Sequence, residues 1–441
     1  MPVSPDRPAA GRWPADLSAY CFEVPYSESS LLFESAKGVR LRDAGGREFV
    51  DGMSGVFVTC FGYDCEPIAQ AVSDQVRALP FNPPLHGTNR PALELAARLV
   101  DLAPAEITTA KLVNGGSEAV EAAVRLSRLY HRTHGNPGKV KILSHYHGYH
   151  GSTFGSLSLT GRPDVGRFGP GLPGVVHFWP PDCLESFTGV PYEESGRLAA
   201  ALVERAIEAE GPDTVAALVV EPVIHLRGMA VPPDDYLREL RAVCDRHNVL
   251  LVFDEIVTGF GRTGRAFAAQ TFDVTPDLMC VGKGISGGYA PLAAVLTGRH
   301  VAAVLGEDGG PYAFAPSHTY AANPMASAAG LAAVTLFGEQ DYPAVVRGLA
   351  AGLEPRLRAL VGSRGAVRAL GLLYGVTLHG DGTPGPLGER VARACLERGL
   401  IIRGQDDWIV LAPAFTTTEA DLAESLQILG DALDAVLGGG R

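Results

Sequence analysis

Between residues 109 and 296 one pattern repeats. Short apolar runs alternate with stretches of helical periodicity. Residues 215–220 (Val-Ala-Ala-Leu-Val-Val) and 249–253 (Val-Leu-Leu-Val-Phe) contain no polar side chain at all. A strand of that kind has both faces covered, and strands separated by helices pack as a mostly parallel sheet between two helical layers. Residues 109–113, 140–144, 175–178, 278–281 and 292–296 complete a set of seven strands. Helices are expected at 117–131, 198–210 and 236–247 from the spacing of their apolar residues. In such sheets ligands gather beyond the carboxyl ends of the strands. The residues that follow each strand are therefore the candidates for a site.

The flanks read differently. Residues 31–55 form a small β element with a turn signal at Asp43-Ala-Gly-Gly46, followed by helices at 66–79 and 91–102. After Pro324 come helices at 325–337, 345–361, 389–398 and 419–437, and strands at 371–378 and 400–410. This is the pattern of a smaller α+β domain. The expected division is an N-terminal arm with part of the small domain (1–54), a large domain (55–325) and a C-terminal small domain (326–441). A chain of 441 residues exceeds what one core usually holds. Its formal charge of −12 argues against nucleic acid or an anionic membrane as partner. No apolar run approaches a membrane span, and residues 1–20 lack a signal-peptide core. The seven cysteines are odd in number and irregularly spaced, with no CxxC, so reduced thiols in a cytoplasmic protein are expected.

Several strand ends carry chemistry-bearing residues. Lys283 follows strand 278–281 in a glycine-rich turn, Gly282-Lys-Gly-Ile-Ser-Gly-Gly288. It is either a surface lysine or an amine that forms a Schiff base with a carbonyl group. Asn114-Gly-Gly-Ser-Glu118 runs from a strand straight into a helix. That arrangement offers backbone N–H groups to an anion, or is an ordinary turn capped by Ser117. His145-Tyr-His-Gly-Tyr-His-Gly151 suits an aromatic platform for a flat ring, with Tyr146 and Tyr149 as competing registers. Its histidines lack the carboxylate and spacing of a zinc motif, and no metal is expected. Glu221 ends one strand and Asp254 another. Asp254 with Glu255 could mimic a triphosphatase acid pair, but no GxxxxGK[ST] accompanies it. Gly282-Lys-Gly284-Ile-Ser-Gly287 matches GxGxxG, yet a strand follows where a dinucleotide fingerprint needs a helix.

Together these runs resemble the class III aminotransferases. The matching stretches are Asn114-Gly-Gly-Ser-Glu-Ala119, Tyr149-His-Gly-Ser-Thr153, Glu221-Pro222, Asp254-Glu-Ile-Val-Thr-Gly-Phe-Gly-Arg-Thr-Gly264, Lys283-Gly284, Gly288-Tyr-Ala-Pro291 and Thr319-Tyr320. Order and spacing agree from about Gly38 to Leu437. The resemblance implies the type I fold, the cofactor pyridoxal 5′-phosphate (PLP), and transfer of an amino group between an amine or ω-amino acid and a keto acid or aldehyde. It implies that Lys283 holds the cofactor as a Schiff base and then moves the substrate proton, while Asp254 keeps the pyridine nitrogen protonated. Gly116 and Ser117 would bind phosphate, Tyr149 and Ile256 would sandwich the ring, and His150 and Glu221 would stand beside it. Thr319 would reach the phosphate of the other subunit of a homodimer.

On the substrate side the resemblance places Arg403 at a substrate carboxylate and Phe57 at a pocket wall. Val410 stands where ornithine-type members carry an arginine. One departure follows Glu221-Pro222: the chain reads Val223-Ile-His-Leu-Arg-Gly228 where small residues are usual. His225 and Arg227 could read an anionic substrate or pack outward. They leave room for another PLP outcome, such as elimination, decarboxylation, epimerisation or carbon–carbon bond formation.

Overall fold

The computed structural model describes residues 31–304, 318–380 and 385–438. The expected N-terminal arm, Cys21 and residues 439–441 lie outside them.

The seven strands of the central sheet are numbered in chain order: β1 Ile107–Val113, β2 Lys141–His145, β3 Val175–Phe178, β4 Val215–Val220, β5 Leu250–Asp254, β6 Leu278–Val281 and β7 Ala293–Gly298. Their spatial order is β1-β7-β6-β5-β4-β2-β3. From β6 to β3 all neighbours are parallel. β7 runs antiparallel to both β1 and β6. A parallel return needs a crossover of a dozen or more residues, and the link from Val281 to Ala293 is too short to build one. The apolar runs of the sequence thus become the central strands. Side chains alternate along them: Leu218 and Val220 of β4 face one apolar layer, Ala217 and Val219 the other. The helix Gly116–Thr133 covers the second layer with Ala119, Val120, Ala123 and Leu126. Each fully buried Val or Leu contributes about 1.5–3 kcal/mol. Lys139, just ahead of β2, is 3% exposed. Its Nζ donates to the carbonyls of Pro212 (2.8 Å), Val215 (3.1 Å) and His247 (2.9 Å), which ties β2 to the start of β4 and to the end of the helix Tyr236–Arg246.

Two smaller sheets flank this one. Phe33–Lys37, Arg40–Asp43 and Glu48–Asp51 form an antiparallel meander, extended in parallel by Leu400–Ile401. Gly365–Leu370, Leu373–Leu378, Trp408–Leu411 and Arg403–Gln405 form a second antiparallel sheet. Here the sequence expectation is corrected twice. The strand expected at 371–378 begins at Leu373, because Gly371 is a turn residue at φ +58° after an unexpected strand, Gly365–Leu370. The strand expected at 400–410 is three short ones, broken before Arg403 and again at Asp406, which turns a hairpin at φ +49°. Leu387–Glu397 and Glu419–Leu437 pack against each other beside these strands. Among the described residues no helix is long and apolar enough to cross a membrane.

Candidate active site

Five strand ends converge on one cavity of about 160 Å³. Its walls include Gly116 and Ser117 after β1, Tyr149 and His150 after β2, Glu221 after β4, Asp254 of β5 and Lys283 after β6. His225, Ile256 and Val257 also line it. The sheet gathers residues up to 167 positions apart, from Gly116 to Lys283, because every strand that carries one points the same way.

Asp254 is 4% exposed and His150 1% exposed. His150 Nδ1 lies 2.8 Å from Asp254 Oδ2, and Ile256 N–H donates to Oδ1 at 3.2 Å. Against a carboxylate, Nδ1 is the donor. Burial opposes a charged imidazole, but the hydrogen bond and charge of Asp254 outweigh it, and the pKa of His150 is raised. The other ring nitrogen, Nε2, is buried without a partner. The Lys283 amine is driven the other way. Burial lowers its pKa, with Arg403 adding to the shift and Asp254 and Glu221 resisting it. Lys283 sits at φ +46°, a left-handed conformation that costs a non-glycine residue about 1–2 kcal/mol.

Glu221 is buried with both oxygens engaged. Oε1 accepts from Tyr149 N–H at 2.8 Å. Oε2 accepts from His225 Nδ1 at 2.5 Å and from His225 N–H at 3.3 Å. Desolvation would raise its pKa, but His225, then His150 and the Tyr149 N–H, hold it down at about 2. No pairing of these two residues was expected, although their spacing of four across the turn is a signal that could have shown it. The His225 ring stands edge-on to Phe57 (5.9 Å) and to Tyr149 (5.7 Å).

Two glycines are required by shape. A Cβ on Gly116 would lie 2.6 Å from Ile256 Cδ1. One on Gly151, at φ +130°, would collide with Ser117 Oγ and Ser156 Oγ. Gly116 opens an 18-residue helix whose N-cap is Gly115, so the expectation of Ser117 as an ordinary cap is replaced. Ser117 Oγ instead accepts from Ser152 N–H at 3.1 Å.

Of the expected site residues, Lys283, Asp254, Tyr149, His150, Gly116, Ser117, Glu221, Ile256 and His225 line this cavity. Tyr149 lines it, whereas Tyr146 lies on the surface against His177 and Trp179. The neighbouring histidines do not converge: His145 bonds Tyr236 and His150 bonds Asp254. Phe57 is buried against His225 and Val223. Arg403 is half-buried, 5.8 Å from the Trp408 ring, and interacts electrostatically with Tyr149 and Glu221. Arg227 is not brought to the cavity. Its Nε donates to Asp182 at 2.7 Å, in a separate cleft shared with Tyr192 and Arg368. Thr319 lies in an exposed turn and is not among the residues lining the cavity. Gly151 and Val257 line the site and were not expected, although each adjoins a residue that was.

A lysine amine, a buried carboxylate and a helix N-terminus around one cavity define the site of an enzyme that works through a bound carbonyl cofactor. Residues 22–433 match the family model of the class III aminotransferases. The chain is 35% identical to the omega-aminotransferase of Caulobacter vibrioides over 87% of its length and 88% of the relative's. It is 31% identical to the vanillin aminotransferase of Capsicum annuum, covering 91% of each. The omega transaminase of Pseudomonas jessenii, solved in complex with PMP, superposes with a TM-score of 0.89 at 30% identity over 93% of this chain and 94% of that one. The chain belongs to the class III aminotransferases. It is a PLP-dependent aminotransferase that moves an amino group between an amine or amino acid and a carbonyl acceptor.

Proposed function

We propose that PLP occupies the cavity with its phosphate at the N–H groups of Gly116 and Ser117, its ring between Tyr149 and Ile256, its ring nitrogen at Asp254 and its carbonyl carbon at Lys283. The convergence of these side chains on one cavity carries the reading. The residues fit the group. Gly116 and Gly151 keep the anion end clear of side chains, and the helix behind them has a positive N-terminal dipole. When bound, PLP supplies a conjugated ring that takes up electrons from the substrate carbon and carries the amino group between the two half-reactions.

The protein's own residues do the rest. Burial leaves more of the Lys283 amine neutral, so it is both a nucleophile and a base. With the cofactor bound, Nζ would be the base that takes the proton from the substrate carbon bearing nitrogen. Asp254 would hold the proton of the ring nitrogen, and His150 holds Asp254 in place. Glu221 fixes the Tyr149 backbone and thereby the ring platform. Arg403 meets the substrate carboxylate and Phe57 walls the pocket. Arg227, committed to Asp182, has no part in substrate binding.

The same reading includes a homodimer in which Thr319 reaches the partner's cofactor phosphate. The exposed turn at Thr319, with Tyr320 edge-on to Phe81 at the surface, supports it. It includes a division into segments 1–54, 55–325 and 326–441. It also includes a cytoplasmic setting, in keeping with free thiols at Cys60, Cys65, Cys183, Cys244, Cys280 and Cys395.

The test uses the purified holoenzyme. A Schiff-base absorbance is expected, lost on borohydride treatment in the wild type as the imine is reduced, and absent in Lys283→Ala. Amine donors should bleach it without a keto acid present. A protein that acquires no such band with added PLP would overturn the residue assignment. Light scattering at the monomer mass would overturn the dimer.

A further inference from the structure

We propose that Glu121 is a positioning residue for the anion end of the cavity. It clamps the turn that follows Gly151 onto the helix Gly116–Thr133, and so fixes the wall that Gly151 presents to the cofactor phosphate. The proposal rests on the cofactor placement above. It adds a residue that is not among those lining the cavity.

Gly151 and Ser117 both line the cavity, from two separate segments. They approach so closely that a Cβ on Gly151 would lie 2.5 Å from Ser117 Oγ. The turn beyond Gly151 has little apolar burial to hold it there. Ser152, Thr153 and Phe154 are all exposed, Phe154 by 63%. Its attachment to the helix is polar. Ser152 N–H donates to Ser117 Oγ at 3.1 Å. Glu121 stands four residues after Ser117, on the same helix face. Its Oε1 accepts from the Thr153 hydroxyl, from Gly155 N–H at 3.0 Å and from Ser156 N–H at 3.3 Å. One oxygen thus gathers three donors of one turn. Gly155 belongs to the same arrangement. A Cβ there would lie 2.9 Å from Glu121 Cδ, so the carboxyl group fills the space that a side chain would take.

The three donors are a hydroxyl and two backbone N–H groups, so Oε1 is the acceptor whether or not the other oxygen carries a proton. The clamp therefore does not depend on charge, and the charge works against the site. Four residues span about 6 Å along a helix axis. A carboxylate at that distance repels an anion bound at Ser117. Glu121 serves the phosphate through the turn it holds and opposes it through its charge, and the two effects can be measured apart.

The apoenzyme is titrated with PLP and with pyridoxal, which has the same ring and aldehyde but no phosphate. The Schiff-base absorbance reports both affinities, and their ratio isolates the phosphate. A general loss of stability or of lysine reactivity weakens both and cancels. Glu121→Ala removes the shared acceptor and should shrink the ratio about five- to tenfold. Glu121→Gln, whose amide oxygen accepts the same bonds without the charge, should keep the wild-type ratio or raise it. Gly155→Ala leaves Glu121 in the chain but pushes its carboxyl group aside, and should shrink the ratio as Glu121→Ala does. It also stands in should Glu121→Ala fail to fold. An unchanged ratio in either alanine variant that folds, or a loss in Glu121→Gln as large as in Glu121→Ala, overturns the proposal. A wild type that binds PLP no more tightly than pyridoxal would sink the phosphate placement itself, which is a separate failure.

Discussion

His150 Nδ1 and Asp254 Oδ2 are 2.8 Å apart, in side chains almost wholly removed from water. The bond fixes one carboxylate oxygen while the backbone N–H of Ile256 fixes the other. Replacing His150 with Ala would leave a buried carboxylate with half its partners. Hydrogen bonds to charged groups contribute about 1.5–3 kcal/mol, so cofactor affinity and kcat/KM should each fall about ten- to a hundredfold. His150→Gln, which can still donate, should recover part of the loss. Titration of apoenzyme with PLP measures it, and equal losses in the two variants would contradict the geometry.

Gly116→Ala should damage the cavity more than the fold. The new Cβ meets the far end of the flexible Ile256 side chain at 2.6 Å, so Ile256 swings rather than the helix. Cofactor affinity is expected to drop about tenfold, with stability changed by less than about 1 kcal/mol. Ile256→Val in the same chain should restore binding. Calorimetric unfolding and cofactor titration of the three proteins decide the matter.

Glu255 gives the protein a pH signature. It is fully buried, and burial pushes its pKa up to about 7, against the pull of Thr258 Oγ1 and the N–H groups of Ala268 and Ala269. The folded state therefore binds the proton more tightly than the unfolded chain. The stabilisation is complete below the ordinary glutamate range and is lost as pH rises through about 7. Glu255→Gln cannot titrate. Its stability deficit against the wild type should narrow between about pH 4.5 and pH 7, by on the order of 2–3 kcal/mol. Urea unfolding across that range would show a constant deficit if Glu255 keeps its usual pKa.

Lys139→Met should destabilise without touching chemistry. Three backbone carbonyls lose their donor at once, those of Pro212, Val215 and His247. A cost of about 2–4 kcal/mol is expected, with kcat within twofold. Burial lowers the pKa of this lysine, so the wild type has a cost of its own to offset the gain. A methionine variant as stable as the wild type would mean that the two cancel.

The sequence carried the site further than it carried the outer sheets. Leu278–Val281 is a strand with the bounds its apolar run suggests, because nothing but a covered strand suits four apolar residues closed by glycine. The residues after β1, β2, β4, β5 and β6 all reach the cavity, since a parallel sheet sends its carboxyl ends to one edge. Residues 400–410 misled because Leu400–Ile401 pairs with Val50–Asp51, some 350 positions away, and no local pattern reports so distant a partner. The sequence leaves Arg227 open between a substrate contact and outward packing for a similar reason. Its fate is decided by Asp182, on a segment that sequence proximity does not connect to it. The pairing of His225 with Glu221 was not expected either, although its partner stands only four residues back.

The reversed strand β7 has a mechanical consequence. Ala294 is registered on Val281 and Ala293 on Val113, so adjacent residues of one strand index both the segment that leads to Lys283 and the segment that leads to Gly116. The loop bearing the lysine leaves the sheet on β6 and re-enters it on β7, with both feet nailed to the same floor. Both ends of that loop are thus held by the sheet. Were Lys283 to carry the cofactor as proposed, its travel would be the reach of four methylene groups, measured from a backbone held at a constant span from Gly116.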